Sequence, residues 1–198
     1  MLPTNSSARR SGRRPATVGF TLVEMMVATL LSGFILAGIL TSFTMLGRSG
    51  YNAANYSVME AEARRALESF SEEARMANNL TWNNANSVTL TVVNSAGTYQ
   101  VTYAYDSSTS GATAQSFYRL PGAATSTSPK LILVRNVTDF AYRRYKVING
   151  ADYSAANDLE TKQIQITLRS VRTGSTTVNA TNAVLSARVV LRNKAVST

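Results

Sequence analysis

Residues 20 to 46 form an apolar run of 27 residues that carries one ionisable side chain, Glu24, and lies directly behind Arg9, Arg10, Arg13 and Arg14. At about 1.5 Å rise per residue a helix of this length is roughly 40 Å long, enough to cross a hydrocarbon core of about 30 Å with room for tilt. The positive-inside rule keeps the arginine cluster in the cytoplasm, so the expected topology is N-in, with everything after Leu46 on the far side. An acid inside such a segment costs roughly 2.5 to 3.5 kcal/mol near a helix centre, and less toward its ends. No basic residue lies between Arg14 and Arg48, so a partner for the charge of Glu24 is expected from outside the segment.

A cleaved secretory signal would have an apolar core of about 7 to 15 residues and a small-x-small exit site, which this longer, acid-bearing core does not match. A plain signal anchor fits the length and the basic flank but gives Glu24 no purpose. A third explanation accounts for both. Gly19-Phe20-Thr21-Leu22-Val23-Glu24 resembles the prepilin cleavage and methylation motif of type IV pilins and type II secretion pseudopilins. Basic leader, glycine, phenylalanine, an acid four residues after that phenylalanine and a long apolar helix occur together and in order.

The resemblance implies that a prepilin peptidase cuts between Gly19 and Phe20 on the cytoplasmic side, and that the new amine of Phe20 is then methylated. It implies a bacterial inner-membrane protein with its soluble domain in the periplasm or outside, later built into a pilus or pseudopilus with other pilin-like subunits. Glu24 would pair with the N-terminal amine of a neighbouring subunit. Elementary electrostatics agrees. A carboxylate about one helical turn from a free α-amino group sits at a similar depth to that group in an adjacent, staggered parallel helix, where low dielectric strengthens the attraction. Removing one partner of such a pair strands the other at about 3 to 5 kcal/mol.

The rest of the chain fits one ordinary soluble domain. Without residues 1 to 19 and the 27-residue apolar run, about 150 residues remain. The net charge of +9 falls to +5 once the four leader arginines are removed. Cysteine and histidine are both absent, which excludes Ser-His-Asp and Cys-His catalysis and zinc sites of the usual nitrogen and sulfur kind. No spacing points to a serine-lysine or paired-carboxylate enzyme, and no cofactor is expected.

Beyond the apolar run Met59, Ala63, Ala66, Leu67, Phe70, Ala74 and Ala77 recur at steps of three and four, one apolar stripe of a helix. Glu60, Glu62, Arg64, Arg65, Glu68, Glu72, Glu73 and Arg75 fill the other faces, with Glu60 and Arg64 spaced for i,i+4 support. After Leu80 the period changes to two. Val88, Leu90 and Val92, then Tyr99, Val101, Tyr103 and Tyr105, alternate around the turn Asn94-Ser95-Ala96-Gly97 and predict a β-hairpin. Further strands are expected at 116–120, 131–134, 137–146, 163–171 and 184–191. Polar loops are expected at 106–115, 121–129, 149–160 and 173–182. The fold expected is therefore α+β: a long N-terminal helix, its first half transmembrane, packed on an antiparallel sheet as in pilins. The expected divisions are a cleaved leader (1–19), a membrane and assembly segment (20–46), an amphipathic helical half (47–80) and a sheet domain (81–198).

Small residues let membrane helices approach closely, which makes Ser32, Gly33, Ala37 and Gly38 candidate packing contacts, with tolerated passengers as the alternative. Many filament-forming pilins carry a proline about twenty residues into the mature helix. None lies near Thr41, a departure that argues against a major subunit. The segments 131–142 and 187–193 are loosely similar to strands of J-type minor pseudopilins and related minor pilins.

Two other functions have material in the sequence. Tyr142, Arg143, Arg144, Tyr145 and Lys146 interleave rings and cations, a pattern able to bind nucleic acid, with Arg143 and Arg144 as candidate DNA contacts. On a strand, alternation divides them between two faces, so they meet one ligand only at an edge or a bulge; tyrosines packed on the helix are the alternative. A tethered enzyme would draw on Asp139, Asp152, Asp158 and Glu160. The last three share a polar loop with oxygen ligands of the kind Ca²⁺ uses, without EF-hand spacing, and no metal is expected.

Overall fold

A computed structural model describes residues 19–172 and 182–195. The arginine leader, residues 1–18, and nearly all of the expected loop 173–182 lie outside the described residues. The protein is α+β: among the described residues one long N-terminal helix, α1 (Leu22–Met76), is followed by nine strands. It divides into two compact units, one ending at Leu46 and one beginning at Gly47.

In the first unit α1 is long and apolar enough to cross a membrane, with a mean hydropathy of 2.1 over its best 18-residue window and no buried residue there. Several of its hydroxyls bond within the helix. Thr29 donates to the carbonyls of Met25 and Met26, Thr41 to Ala37 at 2.8 Å, and Ser42 to Gly38 at 3.0 Å. Such bonds back to the preceding turn are what a polar side chain needs where water is absent.

In the second unit the predicted stripe is the packed one. Met59, Ala63, Ala66, Phe70 and Ala74 are buried, and Asn55 joins them. Small alanines let the helix lie close to the sheet, and Phe70 fills the centre, fully buried with its ring edge-on to Tyr103 at 5.1 Å. Strands β1 (Ala77–Asn84), β2 (Ser87–Asn94), β3 (Gly97–Asp106), β4 (Ser116–Pro121) and β5 (Leu131–Val134) form an antiparallel sheet in sequential order. Strands β6 (Val137–Ile148), β7 (Ala151–Ser154), β8 (Gln163–Val171) and β9 (Asn182–Val190) form a second sheet, ordered β7-β6-β8-β9. Val88, Leu90, Val101 and Phe117 from the first sheet and Val137, Tyr142, Ile164 and Leu168 from the second belong to one core with the helix.

Three expectations are corrected. The helix stops at Met76, not near Leu80, and residues 77–84 are a strand. Ala77 and Leu80 are both buried, and their spacing of three mimics a helical stripe because a register shift in β1 between Ala77 and Asn79 inserts one extra residue. Asn79 also turns its side-chain oxygen onto the N–H of Leu80 at 2.8 Å, a local bond that competes with helix. The expected single sheet is two, because Asn136 adopts a left-handed turn (φ 54°) after the short β5 and sends β6 to pair with β8. The expected loop 149–160 contains β7, joined to β6 by Asn149-Gly150 with φ values of 51° and 81°. Positive φ at both central residues is what a tight type I′ hairpin requires, and Asn-Gly is its preferred pair.

Candidate functional site

At the start of α1, Gly19 and Phe20 precede the helix and are exposed. Thr21 and Glu24 close a reciprocal cap. The Thr21 N–H donates to Glu24 Oε2 at 2.9 Å, the Thr21 hydroxyl donates to the same oxygen at 3.0 Å, and the Glu24 N–H donates to Thr21 Oγ1 at 3.2 Å. Threonine followed three residues later by glutamate is the capping box, which satisfies N–H groups that the first helical turn leaves open. Glu24 therefore has neutral hydrogen-bond partners within its own segment. It has no cationic partner among the described residues. The signal was present in the sequence as Thr21-x-x-Glu24.

The four small residues border different parts of the helix surface. Gly33 and Ala37 line a shallow groove with Thr29, Leu30 and Phe34, whereas Gly38 lies in another with Ile35, Ile39 and Ser42. Ser32 lines neither.

Arg143 and Arg144 are also separated. Arg143 is exposed and has no partner among the described residues, while Arg144 turns toward the interior. There its guanidinium donates to Asp158 Oδ1 at 2.8 Å and to the Ala156 carbonyl at 2.7 Å, and lies 5.1 Å from the centroid of the Trp82 ring. Asp158 Oδ2 accepts the Trp82 backbone N–H at 2.9 Å, which ties the edge of β1 to this loop. Tyr142 is buried in the core, where burial pushes its hydroxyl well above the ordinary tyrosine value. A cleft of about 440 Å³ lies between Trp82 and the strand carrying these residues, with Arg144 against the Trp82 ring.

The loop carboxylates are dispersed in the same way. Asp152 pairs with Arg188 at 2.6 Å, Asp158 with Arg144, and Glu160 with Lys146 at 3.1 Å. Among the described residues no three acids gather as a metal site.

One cluster escaped the sequence pattern. Glu73, counted there with the polar faces of the helix, points at the first sheet. Its carboxylate accepts the Tyr103 hydroxyl at 2.7 Å, the Tyr99 hydroxyl at 3.4 Å and the Arg119 guanidinium at 2.6 Å. The glutamate side chain keeps 12% of its exposure and the arginine 23%. The hydrogen bond to Glu73 holds Arg119 above its ordinary pKa, and burial raises that of Tyr103. The group locks helix to sheet; it presents no open position for a substrate.

A scan of protein-family models finds none that matches this chain, and a search of curated proteins finds no match either.

Proposed function

We propose that this chain is a membrane-anchored, pilin-like structural subunit, processed between Gly19 and Phe20 and assembled through its N-terminal helix into a type IV pilus or type II secretion pseudopilus. The observation that carries the proposal is a helix able to span a membrane whose apolar part, up to Leu46, has one ionisable group, Glu24, standing in its first turn with no cationic partner among the described residues. The basic leader and the Gly19-Phe20 junction support an N-in orientation in a bacterial inner membrane, with cutting by a prepilin peptidase and methylation of Phe20. The absence of a proline near Thr41 favours a minor position in the filament. Nucleic-acid capture has weaker support, because Arg144 is committed to Asp158 and Trp82 and leaves Arg143 alone.

The capping box makes the test specific, since glutamine caps as glutamate does but carries no charge. Glu24→Gln is expected to keep membrane insertion and the start of the helix yet abolish incorporation into filaments. Thr21→Ala removes the cap and keeps the charge, and is expected to assemble measurably better than Glu24→Gln. Normal filament incorporation of Glu24→Gln, scored by shearing and immunoblotting, would reduce Glu24 to a cap and remove the assembly role. Mass spectrometry of the membrane-extracted protein is expected to find a methylated Phe20 at its N-terminus.

A further inference from the structure

A polar cavity of the sheet domain lies apart from the Arg144 cleft and the Glu73 cluster. It is a groove of about 530 Å³ at one end of the first sheet, bordered by the β1–β2 turn, the end of β3, Tyr118 on β4 and Lys130 ahead of β5. Its volume falls within the usual span of small-molecule sites, about 300 to 1,000 Å³. Its walls are fixed by bonds behind them. Asn84 Oδ1 accepts the N–H of Asn86 at 2.8 Å and sets the turn, and Asp106 accepts the Thr113 hydroxyl at 2.6 Å and the Ser108 N–H at 3.0 Å. Between β4 and β5 the chain folds on itself, with the Ser126 hydroxyl on the Pro121 carbonyl at 2.8 Å and the Thr102 hydroxyl on that of Gly122 at 2.9 Å.

What these bonds leave free is a set of neutral donors and acceptors. Among the described residues the Asn84 Nδ2, the Asn86 side-chain amide and the hydroxyls of Ser107 and Tyr118 have no protein partner. The charges nearly cancel. The bonds from Ser108 and Thr113 keep Asp106 ionised by lowering its pKa, and Lys130 stands 4.6 Å from the centroid of the Tyr118 ring. One acid beside one cation suits neither a polyanion nor a metal ion. Planar amides and hydroxyls that can donate and accept, set beside an aromatic ring, match a molecule that alternates hydroxyl groups with an apolar C–H face.

We propose that this groove binds a neutral pyranoside, a one- or two-sugar stretch of a glycan, with Asn84 and Asn86 on its hydroxyls and Tyr118 against its C–H face. The site is independent of filament assembly, and its success or failure is separate from that of the assembly role.

The test uses the full chain in a zwitterionic detergent, because maltoside or glucoside detergents would compete. Saturation-transfer NMR with maltose, cellobiose and N,N′-diacetylchitobiose as probes is expected to show transfer to the ring protons of at least one, with a Kd on the order of 1 mM. Asn86→Ala removes a side chain that makes no bond among the described residues, so its fold is expected to be intact and its binding at least about tenfold weaker. Tyr118→Ala should weaken binding similarly, and Arg192→Ala, on a distant surface, should not. No transfer to any of the three sugars, or transfer that survives both Asn86→Ala and Tyr118→Ala, would overturn the proposal.

Discussion

Glu73 shows how much one side chain can decide. A carboxylate on the sheet-facing side of an amphipathic helix would be a penalty if it stood alone, because a buried charge without a partner costs several kcal/mol. Here Arg119 and two tyrosine hydroxyls surround it, and the pair becomes a registration mark between α1 and β4. Glu73→Ala or Arg119→Ala alone is expected to destabilise the domain by about 3 kcal/mol, since each leaves the other's charge poorly solvated. The double substitution should cost clearly less than the sum of the two, and an additive result in a double-mutant cycle would mean that the groups act independently. The tyrosines set the alkaline limit. Tyr99, Tyr103, Tyr105 and Tyr142 all have raised pKa values, chiefly through burial. A group whose folded pKa is raised contributes stability that is complete below the unfolded value, about 10, and is lost as pH climbs through the folded value. Buried Lys194, its pKa lowered by desolvation, acts with the opposite sign below its own ordinary value and so on the near side of that limit. Tyr142→Phe is expected to change neutral stability little, because the bond its hydroxyl makes to the Tyr103 carbonyl is 3.4 Å long, and to move the alkaline unfolding midpoint upward. A midpoint that stays put or falls would show that Tyr142 is not among the groups that titrate.

At the scale of elements, what could be read from the sequence depended on whether a pattern had one physical cause. The helix stripe from Met59 to Ala74 and the alternation of β8, Ile164, Ile166 and Leu168 inward, follow directly from burial on one face, and both are present. β1 was hidden because a bulged strand and a helix can bury residues at the same spacing of three. β7 was hidden because only four residues, all exposed, make the strand, and exposure leaves no hydrophobic period to detect. Its legible signal was the turn. Asn149-Gly150 takes φ values of 51° and 81°, and the space around Gly150 is open. Gly150→Ala therefore meets no steric neighbour and isolates the backbone term. It is expected to destabilise the domain by about 1 kcal/mol, read as a lower denaturant midpoint at unchanged slope. The same substitution at Gly33, inside α1 with open space around it, should favour the helix instead. Side-chain partnerships such as Glu73 with Arg119, or Arg144 with Asp158 and Trp82, join residues far apart in sequence and have no periodic signature. They could not have been foreseen from spacing.

At the scale of the molecule the two units differ in what they leave exposed. Up to Leu46 every described residue is exposed, and the large apolar side chains among them include Phe34 at 76% and Phe43 at 68%, a surface that water does not tolerate but lipid or other apolar helices do. From Gly47 onward the chain has a core of its own, with every buried cluster member between Ala63 and Leu191. Cohesion of that core owes nothing to disulfides, since the chain has no cysteine. It depends on long-range joins at the bottom of the helix. Asn193 donates to the carbonyl of Met76 at the end of α1, and buried Lys194 donates to the Leu159 carbonyl at 3.1 Å, so the last described residues close onto both the helix end and the loop that holds Asp158. A chain beginning at Gly47 is thus expected to fold without detergent as a cooperative monomer. Its near-ultraviolet circular dichroism should carry the signal of Trp82 packed on Arg144 and Tyr142, and that signal should vanish in one sigmoidal step with denaturant. Ending the same fragment at Val190 removes Asn193 and Lys194 together with fully buried Leu191, and is expected to cost about 3 kcal/mol or more of that stability. If the fragment from Gly47 instead gave only far-ultraviolet signal and bound a hydrophobic dye, the apolar half would have to be contributing to the core. The division at Leu46 would then not be a boundary between solvents.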